Sequence, residues 1–139
     1  MLTAYILDNQ SVARGLLGTV LTTGGHEVVG DGNHSPSNYA RMLKLQPQII
    51  CVDIGETDKD GLQILDTLRS QLPKSLIFLV SSSMSAELIQ AAQSRGVTGF
   101  IVKPFNAVAV LTAIRNSIIK IATQSRVKHD DVSSRDTAG

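Results

Sequence analysis

The sequence predicts a doubly wound α/β domain, a five-stranded parallel sheet with helices on both faces. Three observations carry this. Apolar runs of strand length alternate with stretches of helical periodicity five times over, joined by short connections, which is the pattern of successive βαβ units. The run Ile49 to Val52 is apolar on both faces, as a central strand covered on both sides requires. Four of the five runs end on a polar residue of a particular type: Asp8 with Asn9, Asp53, Ser81 and Lys103. In a parallel sheet those ends share one rim, where open α/β folds place their ligands.

The elements follow in order. Residues 3–7 read as a strand through Ala4, Ile6 and Leu7. A helix starts near Ser11, with Val12, Leu16, Leu17, Val20 and Leu21 expected on one inward stripe, and Gly24-Gly25 stop it. Residues 27–30 form a short second strand. Ser35-Pro36 opens the second helix, since proline suits a first turn where its missing N–H has no partner, and Gln46-Pro47 closes it. The central strand comes next, then a polar loop, then Asp60-Gly61 and a helix carrying Leu62, Ile64, Leu65, Leu68 and Leu72. Residues 76–80 are a strand, and residues 85–95 a weaker helix ended by Gly96. Residues 99–102 are the fifth strand. Asn106 is placed to cap the last helix, whose apolar residues are Val108, Leu111, Ile114, Ile118 and Ile121. Residues 1–122 make one domain. Residues 123–139 are polar and mixed in charge, and read as a flexible tail or the start of a linker.

Composition narrows the function classes. A net charge of +1 gives no reason to expect nucleic acid or an anionic membrane surface as partner. The single cysteine, Cys51, lies inside the central run, so no internal disulfide forms, and it reads as a small buried hydrophobe. No signal peptide or membrane span is evident, and a cytoplasmic location is expected.

The chemistry lies at the strand ends. Asp8, Asp53 and the amide oxygen of Asn9 suit a hard cation such as Mg2+, which takes oxygen ligands and keeps several waters. The Ser81 hydroxyl and the Lys103 ammonium suit a phosphoryl group, as hydrogen-bond donor and point charge. His26, His34 and His129 are scattered, offer no zinc cluster, and read as surface residues. No nucleophile elbow, P-loop or dinucleotide fingerprint is present.

Four motifs now stand together: Ile6-Leu7-Asp8-Asn9, Val52-Asp53 with Asp60-Gly61 downstream, Leu79-Val80-Ser81, and Lys103-Pro104-Phe105. On these the chain resembles a response-regulator receiver domain of two-component signalling, over roughly residues 3–121. The resemblance implies a flavodoxin-like receiver fold and a Mg2+-dependent reaction in which Asp53 is the phosphoacceptor. It implies that Asp8, Asn9, Asp53 and the backbone carbonyl of Gly55 bind the metal, and that Ser81 and Lys103 contact the phosphoryl group. It implies that Ser81 and Phe100 form a switch acting on the face of the fourth helix, fifth strand and fifth helix. Pro104 matches a position that often follows a cis peptide. Such a domain catalyses its own phosphorylation and dephosphorylation and is not a metabolic enzyme. Its implied partners are a histidine kinase or phosphotransfer protein, and a downstream target or an output domain outside this chain; a homodimer is compatible. Asn9 replaces the second acid of the family's pair, Thr57 stands where many relatives have proline, and Phe100 lacks the hydroxyl of the commoner tyrosine. Asn9 keeps a second reading open, a pseudo-receiver that acts as a protein-interaction module without phosphate.

Overall fold

The computed structural model describes residues 2–55 and 59–138, with side chains except those of 59 and 124–138. Thr57 therefore lies outside the described residues. The elements are β1 (Thr3–Leu7), α1 (Ser11–Thr23), β2 (Glu27–Gly32), α2 (Pro36–Leu45), β3 (Ile49–Val52), α3 (Lys59–Gln71), β4 (Leu76–Ser81), α4 (Ala86–Ser94), β5 (Gly99–Val102) and α5 (Ala107–Ala138). The five strands form one sheet in the order β2-β1-β3-β4-β5, every neighbouring pair parallel. This is the doubly wound fold that the alternation of runs predicts, with β3 at its centre.

Strand periodicity divides the core between the two faces of the sheet. Tyr5, Leu7, Ile50, Val52, Ile77 and Leu79 pack with Met42 of α2, Leu65 and Leu68 of α3, and Leu88 and Ala92 of α4. The intervening residues Ala4, Ile6, Ile49, Cys51, Phe78 and Val80 pack with Leu17 and Leu21 of α1 and Val110 and Ile114 of α5. Cys51 is fully buried, and burial pushes its thiol up to about 12. The starts of α2, α4 and α5 are capped by side chains. Ser35 Oγ accepts from the Asn38 N–H at 3.3 Å, Ser85 Oγ from Leu88 at 3.1 Å, and Asn106 Oδ1 from Ala109 at 3.0 Å.

Two helical stripes differ from the sequence reading. In α1 the inward residues are Ala13, Leu17 and Leu21, while Val12 and Leu16 are 74% and 58% exposed. Val12 and Leu16 each precede a buried residue by one position, which turns them about 100° around the helix, past the line the sheet can cover. In α5 Val110 and Ile114 are buried and Val108 is 75% exposed, two positions and so about 200° around the helix from Val110. The helical backbone of α5 continues to Ala138, beyond the end of the apolar stripe. Residues 124–138 contain no Gly or Pro to stop it. β2 runs to Gly32, two residues beyond the expected end. As an edge strand it has only β1 to satisfy, so Asp31 and Gly32 are tolerated there. Among the described residues no helix is long and apolar enough to cross a membrane.

Candidate functional site

The C-terminal ends of the strands meet at one rim, and the main chain sets the residues that follow them. The Asp8 N–H donates to Gly32 O at 3.0 Å, the Asp53 N–H to Leu7 O at 2.9 Å, and the Lys103 N–H to Ser81 O at 3.0 Å. Each bond carries the parallel ladder one residue past its strand, so these side chains start from a fixed frame. The peptide joining Lys103 to Pro104 is cis.

Above this frame lies an open cleft of about 510 Å³, lined by Asp8, Asn9, Gln10, Asp53, Gly55, Lys103 and the run from Ser81 to Ser83. Lys103 organises it. Its Nζ donates to Asp53 Oδ2 at 2.6 Å, to Asp8 Oδ2 at 2.8 Å and to Gln10 Oε1 at 3.2 Å. Burial opposes the Lys103 charge, but the hydrogen bonds to Asp53 and Asp8 and their negative charges outweigh it, so its pKa stands above the ordinary lysine value. The second oxygen of each carboxylate is held by a backbone amide. Gln10 N–H donates to Asp8 Oδ1 at 2.8 Å, and Gly55 N–H to Asp53 Oδ1 at 2.8 Å. Gly55 has φ of 73°, a conformation that favours glycine.

Ser81 Oγ accepts from the Ser83 N–H at 3.0 Å, which leaves the hydroxyl proton free to be donated into the cleft. Asn9 lines the cleft, but its Oδ1 accepts from the His34 N–H at 3.1 Å. Six of the residues singled out from the sequence, Asp8, Asn9, Asp53, Gly55, Ser81 and Lys103, thus surround one cleft. Phe100 is not among its lining residues. It is half-buried on β5 against the core shared with α3 and α4, and it borders a separate small cavity with Pro104 and Val110.

The donor set fits a Mg2+ ion. Asp8 and Asp53 present carboxylates to one ammonium, so they are near enough to share a cation, and all candidate ligands are hard oxygens.

Some participants were not read from the sequence. Gln10 supplies the third acceptor to Lys103. His34, taken as a surface residue, is held at the site: Nε2 lies 2.7 Å from Asp53 O and Nδ1 lies 2.8 Å from the Tyr39 hydroxyl. Ending β2 at Gly32 brings the loop that follows it to the same rim, and a longer second strand is the signal that finds His34. Arg14 also reaches the site from α1, donating to Asp8 O at 2.6 Å and to Asp31 Oδ1 at 3.2 Å.

Comparison with known proteins bears on the family and the fold. Residues 4–115 match the sequence profile of the response regulator receiver domain. The chemotaxis protein CheY of Listeria monocytogenes is 26% identical over 117 residues, covering 84% of this chain and 98% of that protein. The response regulator protein VraR of Staphylococcus aureus is 25% identical over 113 residues, covering 81% of this chain but only 54% of VraR. Among solved structures, a response regulator from Thermotoga maritima superimposes with a TM-score of 0.75 at 19% identity, covering 84% of this chain and 96% of that one. The chemotaxis protein CheY4 of Vibrio cholerae gives 0.69 at 22% identity, covering 84% and 98%.

Proposed function

Since this chain belongs to the response regulator receiver domains, we propose that Asp53 accepts a phosphoryl group from a histidine kinase or phosphotransfer protein, in the cytoplasm, and that the event is passed to a target through α4, β5 and α5. The observation that carries this is Lys103, whose single ammonium bridges Asp53 and Asp8 at the floor of a cleft also lined by Ser81.

The residues divide the work. An Asp53 carboxylate oxygen forms the new P–O bond as the donor's P–N bond breaks and its electron pair returns to the donor imidazole. The Lys103 ammonium, already in contact with Asp53, neutralises charge on the incoming phosphoryl oxygens. The Ser81 hydroxyl donates to one of them, using the proton that its contact with Ser83 leaves free. Asp8, Asp53 and the Gly55 carbonyl would hold a Mg2+ ion, which supplies divalent charge to the same oxygens. The acyl phosphate adds about two negative charges. Drawing Ser81 toward it shifts the end of β4, and Phe100, which pairs with Leu79 in the sheet, borders the space so released.

One observation favours a second reading, a pseudo-receiver that signals through protein contact alone. Residue 9 is an amide whose oxygen is engaged by the His34 N–H, so the metal site has fewer charges than a receiver with two acids there. Binding of beryllofluoride, a phosphoryl mimic, separates the two. A phosphorylatable receiver binds it only with Mg2+ and shows amide shift changes across α4, β5 and α5. No Mg2+-dependent binding would leave the pseudo-receiver, and changes confined to the rim would remove the proposed switch.

A further inference from the structure

The β2–α2 loop, residues 33–35, belongs to no catalytic motif, yet it is anchored at the rim by several hydrogen bonds. Asn38 Nδ2 donates to Asn33 O at 2.7 Å, the Ser35 N–H to Asn33 Oδ1 at 3.1 Å, and the His34 N–H to Asn9 Oδ1 at 3.1 Å. The loop is thereby clamped to α2 on one side and to the β1–α1 connection on the other. Between these clamps the His34 ring makes two bonds, to Asp53 O and to the Tyr39 hydroxyl.

The chemistry of the partners fixes the ring's arrangement. A carbonyl oxygen only accepts, so Nε2 carries the proton that bonds Asp53 O. In the neutral ring Nδ1 is then the acceptor, and the Tyr39 hydroxyl donates to it. The ring of Tyr39 lies 5.9 Å from that of His34 at 39°, and limits its rotation from the α2 side.

We propose that His34 is a positioning residue for Asp53, holding the main-chain carbonyl of the acceptor and thereby setting the direction of its carboxylate. The inference rests on the reading of Asp53 as phosphoacceptor. β3 ends at Val52, whose partner in β1 is the last residue of that strand. Asp53 still donates its N–H to Leu7 O, but its carbonyl lies past the ladder and is bonded by His34 instead. With N–H and C=O both held, the peptide plane leading out of Asp53 is fixed. That plane aims the chain toward Gly55, whose N–H reaches back to Asp53 Oδ1, while Lys103 holds Oδ2. His34, Gly55 and Lys103 therefore act in series: the first sets the backbone, and the other two set the two oxygens.

Phosphoryl transfer is sensitive to such placement, since a misplacement of about 1 Å can cost about 10²-fold in rate. The test uses the whole chain with acetyl phosphate and Mg2+, followed by intact mass, together with metal-free amide spectra of Asp53 and Gly55. His34→Ala is expected to slow labelling about ten-fold and to move the Gly55 amide. His34→Gln, whose side-chain NH2 can donate to the same carbonyl, is expected to recover most of the rate and return that amide toward its wild-type position. Tyr39→Phe, which removes the bond to Nδ1 but keeps the ring contact, is expected to fall between them. Should His34→Ala fail to fold, His34→Gln and Tyr39→Phe carry the test. Wild-type labelling by His34→Ala with an unmoved Gly55 amide would overturn the proposal. So would His34→Gln as slow as His34→Ala, which would mean a packing role only. If the wild-type protein takes no label, the acceptor reading fails, and the Gly55 amide alone decides whether His34 orients Asp53.

Discussion

The Lys103 ammonium lies 2.6 Å from Asp53 Oδ2, and the same atom lies 2.8 Å from Asp8 Oδ2. A lysine just past the last strand thus bridges two carboxylates that follow the first and third, across a sequence separation of 95 and 50 residues, and leaves one negative charge uncompensated. In the metal-free domain this bond does what a cation does when present: it keeps two acids side by side at the end of a parallel sheet.

At the proposed metal site Lys103 and Mg2+ would compete for the same oxygens. Lys103→Met, which keeps much of the side-chain length, is expected to tighten Mg2+ binding by about 1 kcal/mol, several-fold in Kd. Labelling by acetyl phosphate should nevertheless slow by about 10²-fold, because the charge that meets the phosphoryl group is gone. Mg2+ titration alongside intact-mass kinetics checks both signs. Weaker Mg2+ binding in Lys103→Met would mean that the lysine preorganises the acids more than it competes for them.

Asn9 presents one oxygen, and the His34 N–H uses it. An aspartate there has a second oxygen where the amide has NH2, so one can stay on His34 while the other faces the cleft. Asn9→Asp is expected to tighten Mg2+ binding by about 1 kcal/mol and to speed labelling at limiting Mg2+. It should slightly lower the melting temperature of the metal-free domain, since three carboxylates then crowd one rim. Unchanged Mg2+ affinity would show that residue 9 does not face the metal.

Alkaline pH should destabilise the fold. The Cys51 thiol moves from 9.0 to about 12 because it is fully buried. Above 9.0 the unfolded thiol ionises while the folded one keeps its proton. The unfolded state then binds fewer protons, and stability falls as pH rises toward about 12. Burial of Tyr39, pushed from 10.0 up to about 12, acts in the same direction. The raised pKa of Lys103 does too: its contribution is present in full below 10.5 and is lost as pH climbs through the folded value. Denaturant unfolding across this range checks the slope, and Cys51→Ala should flatten it by up to about 1.4 kcal/mol per pH unit.

The fold was legible because its signals are local. A both-sided apolar run such as Ile49 to Val52, four residues long between breakers, suits a central strand, and Asp8, Asp53, Ser81 and Lys103 end their runs whatever the tertiary packing. Stripe assignments were less so. Val12 and Leu16 belong to an apolar face of α1 wider than the sheet can cover, and periodicity does not say which edge stays outside. His34 was illegible for another reason. Its role depends on a ring bonding a backbone carbonyl 19 residues away, and a main-chain acceptor leaves no mark in the pattern of side chains. Gln10 is similar: its value comes from standing one residue beyond Asn9, within reach of a lysine contributed by the far side of the sheet.

The proposed assignment of Asp53 as acceptor can be checked by incubating the wild-type chain and Asp53→Asn with acetyl phosphate and Mg2+ and reading the intact mass. Wild type should gain one phosphoryl group and Asp53→Asn none, while the two proteins keep the same fold by circular dichroism. Equal labelling of Asp53→Asn would place the acceptor elsewhere.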